Sequence, residues 1–373
     1  MNDSTGALLQ ARARAGAYLR SLDPTLLAVL GALSLVGLIT LYSAASDHPG
    51  NFGGQLRNFA LAAAVMLVFA SLSPRVLLRL AVPVYTIGMA SLVAVLAAGV
   101  SVKGAQRWLE LGFTRVQPAE IMKLGVPLML AWYFDRRAGA LRAVDFLFAF
   151  LLVLVPVGLI AKQPDLGTAL LVLAAGFFVI FFAGLPWRWL AVLGTSGLAA
   201  LPVVWSVLHD YQRSRILTLL DPMSDPLGKG FHTLQSMIAI GSGGVFGKGW
   251  MQGTQAHLEF IPERTTDFIF AVYSEEFGLV GNVVIVALFL ALVARALAIA
   301  GNAPTPFTRL LAASIAMILF TYAFVNMAMV SGILPVVGVP LPLISYGGTA
   351  LVTIGMACGM LMTIQRNRKL VQS

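Results

Sequence analysis

The sequence predicts an all-α integral membrane protein that crosses a lipid bilayer about ten times. Hydrophobic residues make up 58% of its 373 residues and charged residues only 11%, and the mean hydropathy is +0.86. Apolar runs long enough for a bilayer core of about 30 Å recur between short polar breaks. Because these runs are continuous rather than alternating, helices are favoured over a β-barrel.

Ten such runs define the predicted spans of a single polytopic membrane domain. They cover residues 24–45, 57–73, 77–100, 117–135, 143–162, 165–184, 186–208, 267–297, 307–331 and 343–364. The segment 1–22 precedes them and the tail 365–373 follows them. One long loop, 209–266, separates the seventh span from the eighth.

The distribution of basic residues predicts that both termini are cytoplasmic. Short cytoplasmic loops collect Lys and Arg, and with the N-terminus inside, most of the 25 Lys and Arg residues fall in inner segments. The long loop then faces outside, in the periplasm. Topology and anionic lipid account for the net charge of +9, so nucleic-acid binding is not indicated.

The two ends of the chain add two further expectations. The segment 1–22 lacks an apolar core and a cleavage pattern, so the first span is expected to be a retained signal-anchor. The single Cys358 excludes an intramolecular disulfide, which leaves the outer loops without a covalent cross-link.

The long loop contains many apolar residues, which predicts that it folds on the membrane surface rather than remaining disordered. A glycine-rich stretch, 241–249, forces an irregular turn within it. This stretch is not a phosphate-binding P-loop, because Lys248 is followed by Gly249 instead of Ser or Thr. Tight packing of the glycines against helix ends is favoured over direct contact with a ligand.

Ionisable residues inside the predicted spans are candidates for function, because a charge in the bilayer is costly. Glu120 and Lys123 lie three residues apart on one helix face, where they can neutralise each other. A structural ion pair and a supporting role in a site are both open. Asp165, at the start of the sixth span, is expected to cap that helix.

Asp267 lies where the long loop re-enters the membrane. Local sequence favours a helix cap, while a position at the water boundary also suits a general base. Arg213, Arg215 and Arg264 in the same loop are candidates to hold an anionic substrate. Two more carboxylates follow two turns deeper in the predicted span and are expected to satisfy helix contacts: Glu275 and Glu276.

Six motifs, in order along nearly the whole chain, resemble the SEDS family (shape, elongation, division and sporulation). They are 103–109 (KGAQRWL), 117–123 (QPAEIMK), 163–169 (QPDLGTA), 247–255 (GKGWMQGTQ), 262–272 (PERTTDFIFAV) and 332–348 (GILPVVGVPLPLISYGG). Their details look like the rod-shape-determining RodA branch rather than the division branch FtsW. Thr265 stands where RodA proteins often carry His.

The resemblance implies a peptidoglycan glycosyltransferase of the bacterial inner membrane, acting in cell elongation and rod-shape maintenance. Such enzymes polymerise lipid II into glycan strands and release undecaprenyl diphosphate. It also implies partners: a class B penicillin-binding protein (a transpeptidase), whose single helix would lie against spans eight and nine, and the elongation machinery. A flippase or transporter of the lipid-linked precursor is the alternative, and a scaffold without activity is a third reading.

The resemblance also implies roles for individual residues. Asp267 matches the catalytic carboxylate, and Glu120 and Lys123 become supports of the substrate cavity. Cations on the outer side would bind the leaving diphosphate; the candidates are Lys103, Arg107, Arg213, Arg215, Lys248 and Arg264. The histidines lack metal-ligand spacing and no metal cage is indicated, so no cofactor is assigned, although a divalent cation such as Mg²⁺ is compatible with a diphosphate.

Overall fold

The computed structural model describes residues 22–46, 49–102, 105–110, 112, 115–139, 141–207, 213–214, 217–219, 229–257, 261 and 263–368. The predictions for Lys103 and Arg215 lie outside these ranges, as do those for the terminal segments and for much of the long loop.

The described residues form long helices, with a small antiparallel sheet between the third and the fourth. The elements are α1 (Pro24–Ala44), α2 (Pro49–Ser71), α3 (Pro74–Ala98), β1 (Val100–Val102), β2 (Ala105–Glu110), β3 (Arg115–Val116), α4 (Pro118–Arg136), α5 (Ala143–Lys162), α6 (Leu166–Phe182), α7 (Trp187–Val207), α8 (Lys229–Ser242), α9 (Thr254–His257), α10 (Ile269–Gly301), α11 (Pro306–Val330) and α12 (Gly348–Arg368).

The helical fold class is confirmed. Seven helices, α1 to α3, α5 and α10 to α12, are long and apolar enough to cross a membrane. The helix α6 is apolar but only 17 residues long, and α4 carries the predicted ion pair. Together with α7 these helices overlap the ten predicted spans.

Helix packing builds the core around α4, α11 and α12. The helix α11 packs on α10, α6 and α4, and α12 packs along α2. Two glycines one turn apart on α12 make that last contact close: a Cβ added to Gly355 would lie 2.5 Å from the carbonyl oxygen of Ala62, and one added to Gly359 would lie 2.5 Å from that of Met66. Small residues at this spacing let helix backbones approach each other closely.

Both described ends of the chain lie at the same end of the bundle. Asp23, which caps α1, forms an ion pair with Arg295 near the end of α10. At the end of α12, Arg366 donates to the carbonyl of Ser71 at the end of α2. The helix α1 runs antiparallel to the second part of α10, because Ser43 at its other end donates to Glu276.

The helix α10 is broken at Gly278, whose φ is 62° and ψ −159°. On either side of the break, Tyr273 donates to the carbonyl of Gly281 over 2.9 Å, and Ser274 to Asn282 over 2.9 Å. Residues eight apart in a continuous helix are separated by about 12 Å. The half-helix 269–277 therefore folds back beside the segment 279–301, which at about 34 Å is long enough to cross a bilayer.

The glycine-rich turn closes both ends of this break. Lys248 and Gly249 donate backbone N–H groups to the carbonyls of Glu275 and Glu276, each over 3.0 Å. The N–H groups of Leu279 and Val280 donate to the carbonyls of the turn residues Gly244 and Val245. A Cβ on Gly243 or Gly247 would overlap the backbone carbonyls of the half-helix. The prediction that these glycines pack against helix ends is confirmed.

The predicted depth of Glu275 and Glu276 in the membrane is wrong. Sequence periodicity placed Glu275 and Glu276 two turns deeper in the membrane than Asp267. In the structure Glu276 lies at the end of α1 beside Ser43, whereas Asp267 lies beside Asn326, one turn inside the end of α11. The reason is the break at Gly278. A continuous eighth span, as predicted over 267–297, would lead steadily deeper into the membrane after Asp267, whereas the chain reverses its direction at Gly278.

Candidate active site

Asp267 lies at the start of the half-helix, held by its backbone. Asn326, fully buried on α11, donates through Nδ2 to the carbonyl of Asp267 over 2.9 Å and to that of Val339 over 2.7 Å. The residue that precedes the helix as its N-cap is Phe268, which makes no side-chain capping hydrogen bond. Asp267 is therefore not the N-cap residue, contrary to the reading favoured by local sequence.

The Asp267 carboxylate faces the loop between α11 and α12. A Cβ added to Gly338 would lie 3.4 Å from Oδ2 of Asp267, and Gly338 has a φ of +74°. Glycine adopts this backbone conformation without the strain that a side chain would introduce. A side chain at position 338 would contact the half-buried carboxylate.

The same loop holds the segment before Asp267. Ser345 Oγ donates to the carbonyl of Thr266 over 2.7 Å and accepts from the N–H of Leu341 over 2.8 Å. The N–H of Tyr346 donates to the carbonyl of Thr265 over 2.8 Å. These bonds hold the two residues immediately before Asp267, in addition to the bond from Asn326 to Asp267 itself.

The buried side-chain amide of Gln55 on α2 supports the loop that holds the Asp267 segment, and the sequence analysis did not predict it. Gln55, 1% exposed, donates to the carbonyl of Ser345 over 3.1 Å and accepts from the N–H of Gly347 over 3.3 Å. The sequence placed Gln55 before the second span, because the apolar run starts two residues later. For Asn326 the signal was present: a polar amide inside a predicted span.

The predicted pair of Glu120 and Lys123 is confirmed. Lys123 Nζ lies 2.5 Å from Glu120 Oε1, with side-chain exposures of 3% and 12%. Thr353 on α12 donates to the other oxygen of Glu120 over 3.0 Å. Lys123 also lies 5.0 Å from the ring centroid of Tyr322 on α11, at a distance typical of cation–π contacts.

The ion pair lies close to the candidate base. Tyr322 and Asn326 are four residues apart on α11 and so share one face, about 6 Å apart along the axis. Tyr322 contacts Lys123 and Asn326 contacts Asp267. The structure therefore brings the intramembrane pair to within about one helical turn of Asn326, the residue that holds the backbone of Asp267. Sequence spacing alone could not show this proximity.

The predicted diphosphate-binding cations lie on different elements. Arg107, on β2, donates to the carbonyl of Pro164 over 2.5 Å and lies 3.7 Å from Asp165; Asp165 caps α6 as predicted. Arg213 donates to the carbonyls of Trp205 and Ser206 at the end of α7. Each guanidinium group therefore makes part of its contacts within the protein, whereas Nε of Arg107 is buried without a hydrogen-bond partner among the described residues.

Two further predicted cations lie nearer to α10. Lys248 forms a 2.6 Å ion pair with fully buried Glu275, which also accepts from Thr254 over 3.1 Å. This pair fastens the glycine-rich turn to the half-helix. Arg264 is buried three residues before Asp267, in the same segment. Among the described cations, Arg264 thus has the shortest chain connection to the candidate base, and its role in substrate binding stays a prediction.

The imidazole of His232 on α8 stacks on Phe268, the residue after Asp267, with ring centroids 5.7 Å apart. Burial lowers the pKa of His232 below its ordinary value, and the charge of Glu263 partly offsets this effect. The neutral form is therefore favoured near neutral pH. Among the described residues, no group of three or more His, Cys, Asp or Glu side chains could hold a metal ion.

Comparison with known proteins identifies the family. A family model described as "Cell cycle protein", for FtsW, RodA and SpoVE, matches residues 20–370. The chain is 49% identical over 351 residues to the peptidoglycan glycosyltransferase MrdB of Escherichia coli (strain K12), covering 94% of this chain and 95% of that protein. Identity to a probable peptidoglycan glycosyltransferase FtsW of Trichlorobacter lovleyi is 38% over 362 residues, or 93% and 94% of the two chains.

Solved structures agree with the sequence relatives. A chain in a peptidoglycan synthase complex, described as structural coordination of polymerization and crosslinking, is 36% identical with a TM-score of 0.81, covering 93% of this chain and 98% of that one. The rod shape determining protein RodA of Thermus thermophilus is 33% identical with a TM-score of 0.71, covering 93% and 97%. The chain belongs to the FtsW, RodA and SpoVE family of cell cycle proteins, on the RodA side of it.

Proposed function

We propose that this protein is a peptidoglycan glycosyltransferase that polymerises lipid II during cell elongation and rod-shape maintenance. The observation that carries the proposal is the position of Asp267: side chains of Asn326 and Ser345 hold the backbone carbonyls of Asp267 and Thr266, and the Asp267 carboxylate lies beside Gly338. The identity of 49% to a peptidoglycan glycosyltransferase supports the same conclusion. A carboxylate fixed in position beside a glycine of the neighbouring loop is placed to take a proton from a bound hydroxyl.

In the proposed reaction the 4-hydroxyl of the acceptor GlcNAc attacks the anomeric carbon of the donor MurNAc. The C–O bond to undecaprenyl diphosphate breaks as the new glycosidic bond forms, with inversion at that carbon. Asp267 takes the proton of the hydroxyl, while Arg264 and the other outer cations stabilise the charge that grows on the leaving diphosphate. A divalent cation such as Mg²⁺ would serve the same purpose.

Polymer formation by purified protein tests this function. The chain, assembled with a class B penicillin-binding protein in detergent, should convert lipid II into glycan polymer without a membrane potential. The alternative, a flippase, rests on the buried charges of the bundle. Movement of lipid II across liposomes without polymer formation would favour the flippase, and neither activity would favour a scaffold.

The proposed setting is the bacterial inner membrane, crossed ten times, with both termini in the cytoplasm. Both described ends of the chain lie at one end of the bundle, which supports an even number of crossings. We expect a reporter fused after Arg142 to read cytoplasmic and one inserted at Asp225 to read periplasmic. The reverse pattern would overturn the orientation, and with it the access of an outer substrate to Asp267.

The proposed partner is a class B penicillin-binding protein whose membrane helix lies on α10 and α11. A groove of about 350 Å³ between these helices has an apolar lining and contains Phe289, Leu290, Phe320 and Phe324. The match to a chain of a peptidoglycan synthase complex supports a transpeptidase partner. Helix-in-groove binding of this kind uses spaced apolar anchors.

Removing two groove side chains should weaken the partner complex. Leu290 and Phe324 are 55% and 53% exposed, so the double change Leu290→Ala and Phe324→Ala should leave the fold intact while lowering partner affinity by about tenfold or more. Affinity of the purified proteins in detergent measures this loss. The control is Leu198→Ala, 69% exposed on α7. Equal affinities for the control and the double variant would place the partner elsewhere.

A further inference from the structure

A second apolar groove, on another side of the bundle, lies between α1, α2 and α12. Its volume is about 220 Å³, and it is lined by side chains of these three helices and by Leu343 from the loop that holds Asp267. Among the described residues that line it, Ser34 carries the only polar side chain apart from the thiol of Cys358. The groove is distinct from the one on α10 and α11.

The packing of the helices explains why the groove exists. The helix α1 packs along α10 and α2 packs along α12, so the two neighbours diverge and leave a furrow between them. Small residues on the facing surfaces keep it open: Gly31 on α1, and Ala62 and Ala63 on α2. Among the described residues, no atom outside the surrounding helix backbone lies within 4 Å of a Cβ built on Gly31.

The groove continues toward the candidate active site. A narrow cavity lined by Ser345 and Gly347 shares Leu343, Leu351 and Ile354 with the groove. Ser345 donates to the carbonyl of Thr266, next to Asp267. Since Leu343 and Ser345 are two residues apart in the chain, the groove begins at most about 7 Å of backbone away from a residue that touches the Asp267 segment.

We propose that this groove binds the first isoprene units of the polyprenyl chain of a lipid-linked substrate. The inference rests on the proposed function, which places the reacting sugar of such a substrate beside Asp267 and its diphosphate at the nearby outer cations. A phospholipid acyl chain could enter any lipid-facing furrow, whereas the connection through Leu343 and Ser345 favours a chain whose polar end is at the site. The volume suits a short stretch of a branched chain, and the remainder would extend into the bilayer.

Filling the groove from α1 tests the proposal. Leu in place of Gly31, a residue that lines the groove, would have its Cβ in open space, and Leu is a better helix former than Gly. For lipid II with an undecaprenyl chain, Gly31→Leu should raise KM about tenfold, the loss of roughly two buried CH₂ groups, with kcat unchanged. For lipid II with a three-isoprene chain, which fills less of the groove, KM should change much less.

The matched control is Gly158→Leu on α5. Gly158 is also exposed in a helix, and no described atom restricts a Cβ there. This variant should behave like the wild type with both substrates. Equal KM changes for long and short chains in Gly31→Leu, or no change with either, would overturn the groove assignment.

A binding measurement separates the groove from the polymerase function. A photoreactive polyprenyl diphosphate should label α1, α2 or α12 in the intact protein, and undecaprenyl phosphate should compete where phosphatidylglycerol does not. Competition by phosphatidylglycerol alone would identify a phospholipid site and overturn the proposal. Failure of the wild type to polymerise lipid II would instead refute the proposed function, which the labelling result does not depend on.

Discussion

Asp267→Asn should lower polymerisation of lipid II by about 10²- to 10⁴-fold while leaving folding and partner binding intact. The amide keeps the size of the side chain but cannot take a proton from the acceptor hydroxyl. The residue that precedes the half-helix as its N-cap is Phe268 and not Asp267. The two bonds that Asn326 and Ser345 make to this segment go to backbone carbonyls, which the substitution does not alter.

Initial rates of glycan formation by the purified variant with its partner measure the effect. Asp135→Asn is the matched control: Asp135 is also half-buried and accepts from the N–H of Phe307 over 3.0 Å, at the opposite end of the bundle. It should retain near-normal rates. Near-normal polymerisation by a folded Asp267→Asn variant would reject the base assignment, and Glu120 would be the next carboxylate to test.

Breaking the ion pair between Glu120 and Lys123 should strongly lower the free energy of unfolding. With side-chain exposures of 12% and 3%, either single change to Ala leaves an uncompensated charge among apolar helices. Each should destabilise the protein by about 3–5 kcal/mol. The double change removes both charges and should cost clearly less than the sum of the two singles.

The free energy of unfolding in detergent, measured for the wild type, the two single variants and the double variant, gives the coupling energy between Glu120 and Lys123. Thr353→Val is the control, since it removes only the neutral donor to Glu120 and should cost about 1 kcal/mol. Additive losses in the cycle would reject pairing. If the double variant is stable but inactive, the pair supports the site as well as the fold, in agreement with its position one turn from the Asn326 anchor.

The half-helix 269–277 shows where sequence periodicity misleads. The residues from 267 to 297 are uniformly apolar enough to predict one crossing, and Gly278 alone gives no direction for a break. The reversal becomes evident only from contacts between residues eight apart, such as Ser274 and Asn282. It moves Glu275 out to the glycine-rich turn, where Lys248 neutralises it, and leaves Asp267 inside the bundle.

The sequence by itself determined the membrane class, the approximate positions of most membrane helices, the family, the Glu120–Lys123 pair and the choice of Asp267, because hydropathy, short-range helix spacing and local motifs are properties of neighbouring residues. Only the tertiary structure decided what surrounds Asp267. Gln55 on α2, and Asn326 and Ser345 on α11 and the loop after it, are all distant in the chain from Asp267. A buried amide or hydroxyl needs a partner, but the sequence does not say which segment supplies it, because helix packing and the break at Gly278 bring those segments together.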